Sequence, residues 1–220
     1  MNVVIFGATG MVGQGVLRES LLAADVQRVQ TVGRTATGVQ HPKLRDLVQK
    51  DLFHYPHERD LSGFDACFFC LGVSSFGMQE AYYKRVTYDL TLAAAETLSR
   101  LNPRMTFVYV SGAGTDSSEQ GRSMWARIKG RTENALLRLP FKAAYMFRPG
   151  AIQALYGARS KTPAYRVLYV VLKPLIALLR RIFPNSILTT EQIGLAMLNA
   201  ARRGAPKHVL EPQDIRLLSL

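Results

Sequence analysis

Acidic residues are scarce in this chain. Sixteen Asp and Glu stand against 28 Lys and Arg, a formal charge of +12. Such an excess raises a nucleic-acid or anionic-membrane partner. The basic residues are dispersed, however, with no run longer than the pairs Arg180-Arg181 and Arg202-Arg203. No nucleic-acid motif and no aromatic-basic interleaving accompanies them, so nucleic acid is disfavoured and a phosphate-bearing ligand accounts for part of the charge. Cysteine is limited to Cys67 and Cys70. That is too few for a disulfide framework, and no second pair completes a zinc set, so no metal is expected. Their Cys-x-x-Cys spacing lies in the apolar run 64–71, where strand alternation turns side chains three apart to opposite faces. They read as small core residues in a reducing compartment. The N-terminus carries nothing like a signal peptide, since a strand begins at Asn2 and an amphipathic helix follows. A cytoplasmic location is the expectation.

What is present is core. Of the 220 residues 48% are hydrophobic and 20% charged, which excludes wholesale disorder and suits one α/β domain. Apolar runs and amphipathic stretches alternate along the chain, the signature of a parallel sheet with crossover helices. Strands are predicted at 3–6, 29–33, 47–52, 66–71, 106–111 and 143–147. Helices are predicted at 11–23, 79–101 and 123–139, the second stopped by Asn102-Pro103. After Pro149 the pattern loosens. A capped helix is predicted near 189–202 with Thr190 as N-cap and Glu191 in its first turn. A short strand at Val209-Leu210 and the segment 215–218 close the chain. No repeat, low-complexity tract or linker divides it.

The most specific signal is Gly7-Ala8-Thr9-Gly10-Met11-Val12-Gly13, which follows a buried strand and opens a helix. In that context Gly7 permits a tight turn, Gly10 lets backbone approach a pyrophosphate, and Gly13 lets helix and strand pack closely. Free N–H groups at the helix start then meet the negative charge. Gly7, Thr9, Gly10, Met11 and Val12 are therefore candidate cofactor contacts. The fold implied is a Rossmann-type α/β domain, a three-layer doubly wound parallel sheet over 1–220 with a small helical cap contributed by about 150–205. The second strand bears on the choice of nucleotide. NAD enzymes usually end it with an acid that accepts from the ribose hydroxyls, whereas here it ends Gly33-Arg34. A guanidinium pairs with a 2′-phosphate, so NADP(H) is expected over NAD(H).

The Gly-x-x-Gly-x-x-Gly spacing with Ala8-Thr9 resembles the extended and atypical short-chain dehydrogenase/reductase superfamily. Gly33-Arg34, Cys70-Leu71-Gly72, Val110-Ser111, Lys129-Gly130-x-x-Glu133 and Arg148-Pro149-Gly150 extend the resemblance over roughly residues 1 to 200. Within that superfamily they are similar to the Tat-interacting-protein-like oxidoreductases and to bacterial relatives labelled NAD-dependent epimerase/dehydratase. The resemblance implies adenine contacts from Asp51 and Leu52, a loop along the cofactor at Leu71 and Gly72, and a further cofactor contact at Pro149. It also implies a catalytic Ser or Thr ending the fifth strand, with Tyr-x-x-x-Lys on the next helix. Ser111 falls at the first place and Lys129 at the last, where it holds the ribose. Trp125 stands where the tyrosine belongs. An indole N–H donates a hydrogen bond but cannot exchange a proton near neutrality as a tuned phenol does. No tyrosine lies between Val110 and Leu139, and Tyr82, Tyr83, Tyr88 and Tyr156 are the substitutes other segments offer.

The stretch 165–183 is apolar yet carries Arg166, Lys173, Arg180 and Arg181, with Pro174 inside it. A spanning helix needs about 20 largely uncharged residues, so this one does not span. It reads as a helical cap over the cleft, with an interfacial surface for anionic lipid as the sharper alternative and self-association compatible with both. The leading function is an NADP(H)-dependent oxidoreductase acting on a small, apolar carbonyl compound, Ser111 orienting the carbonyl. The alternatives are a non-catalytic NADP(H)-binding regulator or assembly factor and, third, a sugar-nucleotide epimerase or dehydratase.

Overall fold

A computed structural model describes residues 1–158 and 187–220; the segment 165–183 lies outside the described residues. The chain runs β1 (Asn2–Phe6), α1 (Met11–Leu22), β2 (Arg28–Gly33), β3 (Leu44–Val48), β4 (Ala66–Phe69), α2 (Glu80–Lys84), α3 (Leu90–Leu101), β5 (Thr106–Val110), α4 (Met124–Leu137) and β6 (Ala143–Phe147). There follow β7 (Ala151–Gln153), β8 (Ile187–Thr189), α5 (Thr190–Arg203), β9 (Val209–Leu210) and α6 (Pro212–Leu218). Seven strands form one parallel sheet in the order β3-β2-β1-β4-β5-β6-β9. The order reverses between β1 and β4, and the carboxyl ends beside such a reversal form the crevice where doubly wound folds bind ligands.

The central strands are apolar on both faces because helices cover both. Val3 and Ile5 of β1 pack with Val16, Leu17, Ile193 and Met197 beneath α1 and α5. Val4 and Phe6 face the other way, with Leu90, Ala94 and Leu98 of α3. Cys67 joins this second cluster while Cys70 packs against the first, so the Cys-x-x-Cys pair does part to opposite faces. Among the described residues no helix is long and apolar enough to cross a membrane.

Several boundaries differ from expectation. The third strand is Leu44–Val48, not 47–52; it is an edge strand, half-exposed throughout, with little apolar periodicity to mark it. The helix expected at 79–101 contains a π turn, Arg85–Asp89, across which Lys84 reaches Asp89 at 2.6 Å, five residues on. The N-cap of α5 is Thr189, not Thr190, because the Thr189 hydroxyl accepts from Gln192 N at 3.0 Å while the Gln192 side chain accepts from Thr189 N. Residues 215–218 lie in a helix that starts at Pro212, with Glu211 and Asp214 forming a reciprocal cap. The small parallel pair β7–β8 was not foreseen.

Candidate functional site

The turn between β1 and α1 is built so closely that two of its glycines are obligatory. Gly7 has φ +77°, and a Cβ there would fall 2.6 Å from Leu71 N at the end of β4. A Cβ on Gly13 would fall 2.1 Å from the Gly7 carbonyl oxygen, so α1 can start this near β1 only without a side chain. Gly10 caps α1 and offers no side-chain acceptor, leaving the first helical N–H groups for a ligand. In front of this turn lies a cleft of about 340 Å³. Gly7, Ala8 and Thr9 line one side, Gly33, Arg34, Thr35 and Thr37 another, and Leu52 and Leu71 close it.

Arg34 is exposed on this wall and forms no hydrogen bond or ion pair among the described residues. Asp51, expected beside the adenine, is not in the wall. It is exposed three residues beyond β3, and its carboxylate accepts from Phe53 N at 2.8 Å and meets His54 Nδ1 at 2.9 Å. The Phe53 bond foremost, then His54, holds its pKa below the usual carboxylate value. It serves the turn, as aspartates at such positions do. Leu52, its neighbour, is buried and does line the cleft.

Sequence reasoning missed Asp46. Its carboxylate accepts hydrogen bonds from Thr31 Oγ1, from Thr37 N at 2.9 Å and from Thr37 Oγ1 at 2.9 and 3.1 Å. Both threonines line the cleft. Only the pairing of β2 with β3 reveals this, since Thr31 and Asp46 are register partners.

The other end of the crevice lies at the carboxyl ends of β5 and β6, and here polar groups are turned on one another. Ser111 is 6% exposed, and its hydroxyl donates to Glu133 Oε1 at 2.5 Å and lies 3.1 Å from the Phe147 carbonyl oxygen. Glu133 is fully buried on α4 and takes Nε and Nη2 of Arg148, which also donates to Ser117 Oγ at 2.5 Å and to Glu211 Oε1 at 3.3 Å. The Glu133 bonds raise the guanidinium's pKa, as a buried ion pair should. Expected to orient a substrate carbonyl, the Ser111 hydroxyl is instead committed to Glu133.

Lys129 stands one helical turn before Glu133, and its Nζ donates to the Ser111 carbonyl oxygen. It pairs with no carboxylate among the described residues. Burial lowers its pKa to about 8, against the opposing pull of Glu133. Trp125, one turn before Lys129, is half-buried with its ring over Gly114 in the β5–α4 loop. Pro149 is buried, and its carbonyl accepts from Ala113 N at 2.9 Å; Gly72 is exposed after β4.

None of the substitute tyrosines is poised for proton transfer. Tyr83 is 1% exposed, with its pKa raised by burial. Tyr88 lies under Lys84 and Arg131, and Tyr156 under Arg18 with its hydroxyl donating to Glu191 at 3.2 Å. Tyr82 is exposed on α2.

No family model matches the chain. Among solved structures, the Bordetella bronchiseptica enzyme WbmF in complex with NAD+ superposes with a TM-score of 0.67 at 18% identity, covering 99% of this chain and 76% of that one. An oxidoreductase of the short-chain dehydrogenase/reductase family from Burkholderia thailandensis gives 0.65 at 17% identity, covering 98% and 92%. The chain shares the fold of these two structures. The resemblance read from the glycine turn is thus borne out as a fold. Among curated proteins, the mitochondrial protein FMP52-2 of Scheffersomyces stipitis is 27% identical over 161 residues, 71% of this chain and 67% of that protein. The FMP52 proteins of Eremothecium gossypii and Emericella nidulans are likewise named mitochondrial. These names overturn the cytoplasmic location expected from the N-terminal residues.

Proposed function

We propose that the protein is an NADP(H)-dependent oxidoreductase acting on a small, apolar carbonyl compound or the corresponding alcohol. The observation that carries this reading is Arg34, a guanidinium without a partner among the described residues, in the wall of a cleft opened by the glycine turn. The residues fit a dinucleotide: the cleft is glycine-lined where a pyrophosphate would approach, and the helix start behind it lacks a side-chain cap. The structural neighbour WbmF has NAD+ in its complex, which supports a dinucleotide; the preference for the phosphorylated form rests on Arg34.

A bound nicotinamide dinucleotide would supply the hydride. The Gly10 N–H is held by the Gly7 carbonyl at 2.9 Å, so Met11 and Val12 would offer backbone N–H groups to its pyrophosphate while Gly10 lets the chain approach. Arg34 would pair with the 2′-phosphate, and Leu52 and Leu71 would cover the adenosine. Gly72 and Pro149, whose places the family resemblance implies, would stand on the nicotinamide side. Lys129 uses one N–H on the Ser111 carbonyl and retains two for ribose hydroxyls. Ser111 acts as a positioning residue, tying β5 to Glu133, and Trp125 supplies an apolar wall with one donor.

A second reading, a regulator that binds NADP(H) without turnover, is favoured by two observations: an indole in place of the phenol and a serine hydroxyl committed to Glu133. Titration calorimetry with NADPH and NADH tests the shared part. NADPH should bind at least about tenfold more tightly, because a charge-assisted contact contributes roughly 1.5 kcal/mol or more, and Arg34→Ala should remove most of that gap. Equal affinities in the wild type would refute the cofactor assignment. Hydride exchange with a panel of apolar aldehydes and ketones separates enzyme from regulator.

A further inference from the structure

The adenosine end of the cleft has a wall that is neither helix nor strand. After Gly33 the chain leaves β2 through Arg34-Thr35-Ala36-Thr37, and Arg34, Thr35 and Thr37 line the cleft. Arg34, Thr35 and Ala36 are exposed, so no core packing shapes the turn. Arg34 itself holds nothing among the described residues, and where its guanidinium stands is set by the backbone that carries it.

One side chain fixes that backbone. Asp46 lies opposite Thr31 in the β2–β3 register, so the two side chains share a face of the sheet. Thr31 Oγ1 donates to Oδ1 of Asp46, Thr37 N donates to Oδ2, and Thr37 Oγ1 lies 3.1 and 2.9 Å from Oδ1 and Oδ2. The carboxylate therefore bridges the strand before the turn and the last wall residue after Arg34. A backbone N–H held by a charged acceptor is a strong local constraint on a turn.

We propose that Asp46 is a specificity-determining positioning residue, which shapes the turn 34–37 so that Arg34 meets a 2′-phosphate. This rests on the NADP(H) reading. Two other roles for an acid here fit less well. As a ribose acceptor of the kind NAD enzymes carry, Asp46 would need free lone pairs aimed into the cleft, yet both oxygens are already engaged by protein donors. As a bare charge it would repel a phosphate, but those donors offset its negative charge, and it lies behind the threonines that form the wall.

The test is titration calorimetry with 2′,5′-ADP and 5′-AMP, which differ by the 2′-phosphate alone. Wild type, Asp46→Ala, Thr37→Val, Arg34→Ala and the Asp46→Ala/Arg34→Ala double variant are compared. The wild type should prefer 2′,5′-ADP by about tenfold or more. Asp46→Ala should reduce that preference to within about threefold while 5′-AMP binds as before. Thr37→Val, which removes one donor and leaves the strand intact, should lose part of it and decides the matter if Asp46→Ala does not fold. The double variant should be no worse than Arg34→Ala, since Asp46 acts through Arg34. The proposal is overturned if the preference survives both Asp46→Ala and Thr37→Val. It is also overturned if both ligands weaken equally, or if Asp46→Asn binds 2′,5′-ADP more tightly than wild type. A wild type without preference would instead refute the NADP(H) reading itself.

Discussion

The two ends of the crevice solve opposite problems with the same kinds of residue. At the adenosine end Arg34 is exposed and unpaired among the described residues, and the acid nearest to it in the sheet, Asp46, binds threonines. At the β5–β6 end Arg148 is 9% exposed and holds a fully buried Glu133, which in turn holds Ser111. One end leaves a cation ready for an incoming anion; at the other, Arg148 and Glu133 satisfy each other. The difference separates recognition from support: a side chain that already has its partners stiffens a site, and one that lacks them is available to a ligand.

The largest effect expected from this contrast is on stability. Glu133→Gln removes the charge that compensates a buried guanidinium, and breaking such a pair costs about 3–5 kcal/mol. Urea unfolding should show that loss as a lower midpoint. Below the transition, affinity for 2′,5′-ADP should stay within about twofold of wild type, because among the described residues no hydrogen bond or ion pair links Glu133 to the cleft wall; that bound is about 0.4 kcal/mol. If adenosine-end affinity falls together with stability, the two ends are coupled and the contrast fails.

Next in size is Ser111→Ala. The hydroxyl's bond to a carboxylate contributes roughly 1.5–3 kcal/mol, and Arg148 remains to hold Glu133, so the lower figure applies. The same urea experiment checks it. A variant as stable as the wild type would mean that the hydroxyl is not held by Glu133 in solution and is available to a substrate, which would return Ser111 to its expected catalytic part.

How much of this was legible depended on whether a signal was local. The glycine turn, the buried strands and their order follow from residue types at short spacing: β1 and β4 are unbroken apolar runs, and Gly7, Gly10 and Gly13 carry their geometric reasons in their spacing. Cys67 and Cys70 parted as alternation requires. The failures are non-local or turn on a single residue. The strand Leu44–Val48 alternates weakly, so it was placed three residues late and Asp46 fell outside it. The pair β7–β8 joins three-residue strands more than thirty positions apart, a distance no window spans. Thr189 and Thr190 are chemically equal candidates for a cap, and only the Gln192 reciprocal bond distinguishes them. Lys129 and Glu133 were visible as one helical face, but the direction of the Ser111 hydroxyl depends on Arg148, fifteen residues beyond Glu133. Motif position located this end of the site without saying which groups were already engaged.

The smallest effect sharpens the comparison most, because it asks whether the β5–β6 end is closed in solution. Burial lowers the Lys129 pKa from 10.5 to about 8. Below about pH 8 the ammonium is protonated in both folded and unfolded chains, and the cost of burying it is fully present. Between about 8 and 10.5 the unfolded chain binds the proton and the folded one has released it, so this group makes stability rise with pH. Lys129→Met removes the buried charge and also the hydrogen bond to the Ser111 carbonyl, a loss of about 1 kcal/mol that offsets part of the gain. At pH 7 the variant should therefore equal or slightly exceed the wild type in urea. As pH rises through 8 toward 10.5, the wild type should gain on it and finish the more stable. Comparing the two proteins cancels the other tyrosines and lysines that titrate in this range. A stability difference that does not move with pH would mean that Lys129 keeps its water when folded. The β5–β6 end would then be as open as the adenosine end, with its amine as free to meet an anion as Arg34 is.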